Sequence, residues 1–154
     1  MGKGKIHFLF VCTGNVCRSP MAEGIFKSLT KDKPHLTCES AGTFAYNGFP
    51  ASPNAEQASK KHGVDISHHL SQLITEELLD RSDVILTMTD NHINALKQTF
   101  PEHCGKAFLL KEYGLSDKNL SDLNIADPIG QNLDTYEKCY LEIEEAIKGV
   151  LKKT

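Results

Sequence analysis

The chain has 154 residues, of which 40% are hydrophobic and 24% are charged, and its formal net charge is -3 at pH 7. This length suits one globular domain with its own core, which we expect to span residues 1–154. The negative charge argues against nucleic acid as a partner, because duplex binding depends on Lys and Arg neutralising phosphates. No apolar run approaches the roughly 18–20 residues that a membrane span needs, so no membrane association is expected.

The N-terminus and the cysteines indicate the compartment. Met1–Lys5 leads directly into a strand-like run, without the apolar region or cleavage site of a signal peptide. The five cysteines are odd in number, and only Cys12 and Cys17 lie close in sequence, which predicts free thiols in a cytoplasmic protein. The other three are expected to be small buried hydrophobic residues: Cys38, Cys104 and Cys139.

Strand and helix patterns alternate along the first half of the chain. The nearly continuous apolar run Ile6–Val11 predicts a strand covered on both faces. Pro20 suits the first turn of a helix. A second strand is predicted over residues 36–40, and a second helix over residues 52–63, which opens with Ser-Pro and stops at glycine.

The second half repeats this alternation. Strands are predicted over residues 83–88 and 106–110, on either side of a helix near residues 90–98 whose Ile93 and Leu96 are expected to point inward. Asn132 or Asp134 is predicted to cap the last helix. That helix is indicated by apolar residues at steps of three and four: Leu133, Tyr136, Tyr140, Ile143, Ile147 and Val150.

Strands that alternate with helices predict an α/β fold with a parallel sheet and right-handed crossovers. Ligands of such sheets bind beyond the carboxyl ends of the strands. The loop that begins at Cys12 leaves the first predicted strand at that end. We therefore expect the functional site there.

The segment from Cys12 to Arg18 carries the functional prediction. A strand, a short loop and a helix N-terminus form an anion cradle with inward backbone N–H groups. Gly14 permits a tight turn, and Asn15 tolerates the left-handed conformation. Arg18 offers a planar fork of donors for two phosphoryl oxygens. The same positive surroundings favour Cys12 as a thiolate nucleophile, the alternative being a buried thiol beside a surface arginine.

The run C-T-G-N-V-C-R-S-P-M-A-E, residues 12–23, resembles the signature of the low-molecular-weight protein tyrosine phosphatase family. The resemblance extends from the first strand to the last helix. It implies one domain with a four-stranded parallel sheet in the order 2-1-3-4 and helices on both faces. It also implies a cysteinyl-phosphate intermediate, no metal and no other cofactor. Phosphorylated proteins are the expected partners, and the chain is expected to be a monomer or a weak dimer.

The reaction also needs a proton donor for the leaving group and a base for the attacking water. Asp127, followed by Pro128, is the candidate, although Asp-Pro alone equally marks a turn. The resemblance favours catalysis, because the family places its general acid in this segment. A bound phosphate dianion nearby would help to keep Asp127 protonated.

The resemblance also implies a hydrogen-bond network that braces the loop through Asn15, Ser19, a serine and a histidine, which Ser40 and His69 match here. Ser19 is expected to donate to the thiolate, to cap the helix, or to do both. The loop residues expected to bind or support phosphate are Thr13, Gly14, Asn15, Val16 and Cys17. The remaining histidines lack ligand spacing and are expected to be structural or solvated: His7, His35, His62, His92 and His103.

Cys17 has two open interpretations. It either fills space under the loop or forms a reversible disulfide with Cys12 that prevents irreversible oxidation. The second interpretation predicts that a thiol reductant restores activity after peroxide treatment, and that Cys17→Ser recovers much less. Residual activity measured after each treatment checks this, and equal recovery in the variant would count against a protective disulfide.

The choice of phosphoryl group depends on fewer residues. Family members that act on aryl phosphates usually carry Ile at the position of Val16, whereas a bacterial phosphoarginine branch carries Thr. Val16 is apolar like Ile, which favours phosphotyrosine. Residues 40–45, 75–78 and 128–130 instead resemble the phosphoarginine branch. Three aromatic residues either wall the pocket or pack the loops: Phe44, Tyr46 and Phe49.

Two other functions share this loop. Arsenate reductase needs further cysteines near the end of the third strand, where this chain has residues 87–89, Thr-Met-Thr. A non-catalytic phosphate-binding module does not require Cys12, Arg18 and Asp127 together. The presence of all three favours the phosphatase.

Overall fold

The computed structural model describes residues 4–115 and 122–154, so the predicted lead-in at residues 1–3 lies outside the described residues. Each strand is followed by at least one helix, as the sequence predicts. In chain order the elements are β1 (Ile6–Cys12), α1 (Arg18–Leu29), β2 (Leu36–Gly42), α2 (Pro53–Lys61), α3 (Glu76–Asp80), β3 (Val84–Thr87), α4 (Asp90–Thr99), a 3₁₀ helix (Pro101–Lys106), β4 (Ala107–Leu109), α5 (Leu110–Gly114) and α6 (Leu133–Lys152).

The strands form a four-stranded parallel sheet in the order β2-β1-β3-β4, which confirms the predicted fold. β1 lies between its partners, and its Phe10 pairs with Ser40 of β2 and Leu86 of β3. Because β1 is central, its apolar run is covered on both faces and residues 8–11 are fully buried. The carboxyl ends of β1 and β2 meet where Cys12 pairs with Gly42.

Helices cover both faces of the sheet, each over its own core. Phe8 and Phe10 of β1 point to the face that packs α1, α2 and α6, with Tyr140 at its centre. Leu9 and Val11 point to the opposite face, against α3 and α4. Successive side chains of a strand alternate between faces, so one strand contributes to both cores.

The last helix begins as predicted, because Asn132 Oδ1 accepts the backbone N–H of Thr135 at 3.0 Å. Its predicted apolar positions face the core, and Tyr136, Ile143 and Val150 are buried. None of the helices in the described ranges combines the length and the apolarity that crossing a bilayer would require.

Three details differ from the sequence prediction. The fourth strand is shorter than predicted, because Leu110 starts α5 instead of extending β4. This short helix can lie against α6 because Gly114 has no side chain, and a Cβ there would stand 2.1 Å from the carbonyl oxygen of Ala146. Cys104 is only partly buried, unlike Cys38 and Cys139. Ile93 of α4, predicted to point inward, is half-buried.

Candidate active site

The loop from Cys12 to Arg18 connects the carboxyl end of β1 to the N-terminus of α1, as predicted. The segment after β2 holds it by backbone hydrogen bonds, in which Thr43 N donates to Cys12 O at 2.9 Å and Phe44 N donates to Thr13 O at 3.0 Å. A Cβ on Gly42 would lie 2.3 Å from Thr13 O. Glycine at this position therefore allows β2 to support the loop so closely.

Asn15 sets the shape of the loop. Its φ is 56°, which is the left-handed conformation that the sequence led us to expect at Asn15. Its Nδ2 donates to Ser19 Oγ at 2.7 Å and to Ser40 Oγ at 3.0 Å. His69 Nε2 donates to Asn15 O at 2.7 Å. Ser19, Ser40 and His69 are the residues that the family resemblance led us to expect around Asn15. The predicted network is therefore formed in the structure.

The sequence did not indicate the other two members of this network. Gln72 N donates to Asn15 Oδ1 at 2.9 Å, and Ser40 Oγ donates to Glu23 Oε1 at 2.6 Å. Lys27 Nζ pairs with the other carboxylate oxygen of Glu23 at 2.6 Å. The spacing of Glu23 and Lys27, four residues apart on α1, was the available signal for this pair.

Cys12 lies inside this network. Its Sγ is 2.9 Å from Ser19 Oγ. Ser19 Oγ accepts a hydrogen bond from Asn15 Nδ2, which leaves its own O–H free to donate a hydrogen bond to the sulfur. Ser19 is the second residue of α1 and Cys17 is the N-cap, so the capping role considered for Ser19 is wrong.

Arg18 is buried beside the loop. Its Nη1 donates to Ile125 O at 2.9 Å, and its Nη2 lies 3.6 Å from Asp127 Oδ2. Its Nε is buried and has no hydrogen-bond partner within residues 4–115 and 122–154. A buried N–H without an acceptor is unfavourable. A phosphoryl oxygen is the kind of acceptor that would satisfy it.

Asp127 forms the turn considered for the Asp-Pro pair, and it also lies beside Arg18. Its Oδ1 accepts the backbone N–H of Ile129 at 3.1 Å, which is turn chemistry. Its Oδ2 faces Arg18, and the side chain is 42% exposed. One oxygen thus shapes the loop, while the other remains accessible beside the guanidinium.

Cys17 packs between α2 and α6. Ser52 Oγ lies 3.4 Å and Tyr136 OH 3.3 Å from its Sγ. Burial raises the pKa of the Cys17 thiol, so Cys17 is protonated at neutral pH. These contacts support the space-filling interpretation, and the disulfide with Cys12 stays a prediction. The neighbouring Val16 is half-buried, and its carbonyl accepts the N–H of Ser52 at 2.8 Å.

Aromatic side chains stand around the loop. Phe44 is 76% exposed and Tyr46 is 72% exposed, so neither ring is packed into the protein. Tyr46 contacts Phe49 edge to face, with ring centroids 6.3 Å apart. Ile129 is also exposed, next to Asp127 on the facing loop. These apolar groups are available to a substrate, which favours the pocket-wall interpretation over loop packing.

His92 and His103, both expected to be structural or solvated, each contact polar side chains. His92 is buried, and its Nε2 lies 2.9 Å from Thr13 Oγ1. His103 Nε2 lies 3.2 Å from Asp80 Oδ1 and 3.8 Å from Glu76 Oε1. Both carboxylates are exposed on α3, and a protonated His103 would form an ion pair with them. The absence of a metal stays an expectation.

The parallel sheet and the loop at its carboxyl edge, which begins at a buried cysteine and ends at a buried arginine, are typical of cysteine-dependent phosphatases. Residues 7–154 match the family model described as low molecular weight phosphotyrosine protein phosphatase. The chain belongs to this family, whose members are cysteine-dependent hydrolases.

Individual relatives agree with this assignment. The protein-arginine-phosphatase of Bacillus subtilis (strain 168) is 36% identical over 146 residues, which are 94% of each chain. The low molecular weight protein tyrosine phosphatase from T. tengcongensis has a TM-score of 0.89 and 39% identity, covering 97% of this chain and 100% of that one. A mutant of the YwlE arginine phosphatase with a phosphorylated active-site serine has a TM-score of 0.89 and 34% identity, covering 96% and 95%.

Proposed function

We propose that this protein is a protein tyrosine phosphatase that hydrolyses aryl phosphates through a cysteinyl-phosphate intermediate. The observation that carries the proposal is the placement of Cys12 Sγ, 2.9 Å from the Ser19 hydroxyl, in a loop that ends at a buried arginine whose Nε has no partner in the part of the chain that the structure describes. A nucleophile and an anion-binding group on one preformed loop are what phosphoryl transfer requires.

In the first step the Cys12 thiolate attacks phosphorus in line with the leaving oxygen. An S–P bond forms while the P–O bond to the leaving group breaks. Arg18 and the loop N–H groups bind the equatorial oxygens, on which negative charge is spread in the transition state. Asp127 gives its proton to the leaving oxygen, so that a neutral phenol departs.

In the second step the Asp127 carboxylate removes a proton from water, and the oxygen of that water attacks phosphorus. The S–P bond breaks, which returns the thiolate and releases inorganic phosphate. The Ser19 hydroxyl stabilises the departing sulfur, since its O–H is free to donate to it. The arginine-phosphatase relative with a phosphorylated active-site serine supports a phosphoryl group carried on a side chain of this site.

The proposal of an aryl phosphate as the substrate is based on the residues that surround the site. Exposed Phe44 and Tyr46 offer rings against which an aryl group can pack. Val16 has no hydroxyl with which to orient a guanidino group. Phosphoarginine is the second candidate, because a relative of 36% identity that aligns along 94% of this chain is a protein-arginine-phosphatase.

The deciding experiment measures kcat/KM for matched phosphotyrosine and phosphoarginine peptides. We expect the wild-type chain to prefer phosphotyrosine. Val16→Thr should shift the ratio of the two kcat/KM values toward phosphoarginine, because it adds a hydroxyl to a side chain of the same shape. Val16→Ile is the matched control and should leave the ratio on the tyrosine side. A wild-type preference for phosphoarginine would replace the proposed substrate with the second candidate.

The partners and the compartment follow from the same chemistry. We propose phosphorylated proteins as the substrates and the cytoplasm as the compartment, since all five cysteines are free thiols. A reducing compartment keeps a nucleophilic cysteine active.

A further inference from the structure

His92 makes two hydrogen bonds that fix which ring nitrogen carries the proton. It is the third residue of α4, and its Nδ1 accepts the backbone N–H of Thr89 at 3.1 Å. A nitrogen that accepts a backbone N–H cannot carry a proton itself. The neutral ring must therefore be protonated on Nε2, which lies 2.9 Å from Thr13 Oγ1 and donates to it.

The imidazole stays neutral around pH 7. Burial and the nearby Arg18 guanidinium lower the pKa of His92 to about 4, with Asp127 acting in the opposite direction. A neutral donor adds no second positive charge beside Arg18. The ring therefore holds Thr13 by a directed hydrogen bond and not by charge.

Thr13 is the second residue of the anion loop, the segment from Cys12 to Arg18. Its oxygen faces two N–H groups, His92 Nε2 at 2.9 Å and Arg18 Nη2 at 3.5 Å. With the oxygen occupied as an acceptor, the hydroxyl proton points away from both groups. Thr13 is also exposed, so this proton is available to an anion in the cradle.

We propose that His92 is a positioning residue that orients the Thr13 hydroxyl as an additional donor to a phosphoryl oxygen of the substrate. This inference rests on the proposed function and extends it to a residue on the neighbouring strand-to-helix turn. The His92 side chain thus connects the start of α4 to the anion loop. It caps the helix through Nδ1 and holds the proposed substrate donor, Thr13, through Nε2.

The competing explanation is that His92 only caps α4. Capping alone needs an acceptor at the third helical position, where Glu and Gln serve best. It does not require the Thr13 hydroxyl. The two explanations therefore differ in what happens when Thr13 is changed while His92 is kept.

A double-mutant cycle tests the proposal with Thr13→Val, His92→Leu and the combined variant. Thr13→Val keeps the shape of the side chain and removes the donor, and it should lower kcat/KM for an aryl phosphate by about 10- to 100-fold, the effect expected of one hydrogen bond to a charged group. His92→Leu should lower it similarly. The combined variant should be no worse than Thr13→Val, since His92 acts through Thr13.

His92→Gln is the conservative variant, because its amide places an acceptor and a donor at a separation close to that of the two ring nitrogens. It should keep most of the wild-type activity. The exposed His68→Gln is the matched control. Thermal unfolding followed by circular dichroism reports capping separately, and His92→Leu, which removes the acceptor of the Thr89 N–H, should lower the unfolding temperature more than His92→Gln.

Affinity for orthovanadate provides a readout that does not need turnover, and it should weaken in Thr13→Val and His92→Leu but not in His92→Gln. The proposal is overturned if Thr13→Val retains wild-type kcat/KM and vanadate affinity, or if the two single effects multiply in the combined variant. If His92→Leu does not fold, the kcat/KM and the vanadate affinity of Thr13→Val still test the proposal. A wild-type chain that binds vanadate without hydrolysing aryl phosphates would contradict the proposed function instead, and the cycle would then be measured by vanadate affinity.

Discussion

Replacing Cys12 with Ser is expected to abolish turnover of aryl phosphates. The serine hydroxyl has nearly the same shape as the thiol but stays protonated at neutral pH, so the loop keeps its geometry and loses its nucleophile. Arg18 and the loop N–H groups remain, and phosphate should still bind. Initial rates with an aryl phosphate, together with the inhibition or binding constant for inorganic phosphate, separate the two effects.

Cys104→Ser is the matched control for this variant. Cys104 is a free thiol that is only partly buried, and its Sγ contacts the backbone oxygen of Phe100 at 3.7 Å. We expect the Cys104→Ser variant to hydrolyse aryl phosphates at the rate of the wild-type chain. Turnover retained by Cys12→Ser would remove the cysteinyl-phosphate mechanism.

Replacing Asp127 with Ala is expected to slow the hydrolysis of phosphotyrosine by roughly 10²–10⁴, the usual contribution of a positioned general acid. Its Oδ2 lies beside Arg18 and its side chain is accessible, which places a proton donor next to the bound phosphoryl group. The loss should be smaller for a phosphate ester with an acidic phenol, because such a leaving group departs without protonation. A series of phenyl phosphates of differing phenol acidity measures this dependence.

Asp127→Asn separates catalysis from the shape of the loop. An asparagine oxygen can still accept the backbone N–H of Ile129, which Asp127 Oδ1 accepts at 3.1 Å, but the amide is not a general acid. Asn and Ala should therefore lose similar activity if proton donation is the main role. Asp134→Ala, at the exposed start of α6, is the control for removing a nearby carboxylate. Full activity in Asp127→Asn would assign the proton donor to another group.

The loop from Cys12 to Arg18 was predictable because the residues that give it its shape and chemistry are neighbours in the sequence. Cys12, Gly14, Asn15 and Arg18 occupy consecutive turns between a strand and a helix, and each residue type has a conformational or chemical property that such a loop requires. The strands and the long helix were predictable for the same reason, since their periodicities are properties of short segments. The left-handed conformation of Asn15 was predictable in the same way, because asparagine tolerates it better than most residues.

The supporting contacts were harder to predict because they join distant segments. Gln72 reaches Asn15 across 57 positions of the chain, and His92 reaches Thr13 across 79. His69 and Ser40 were named in advance only through the family resemblance. No local pattern distinguishes a histidine that braces a loop from one that is solvated, as His92 shows.

By itself the sequence determined the strand-loop-helix unit and placed on it the proposed nucleophile and the proposed anion-binding arginine, because residue type and short-range geometry specify these features. The tertiary structure alone showed that Arg18 Nε has no acceptor among the described residues, that Ser19 Oγ lies 2.9 Å from the sulfur instead of capping the helix, and that His92 holds Thr13. These features depend on which segments the parallel sheet brings together at its carboxyl edge. Such long-range contacts form only when the whole chain has folded.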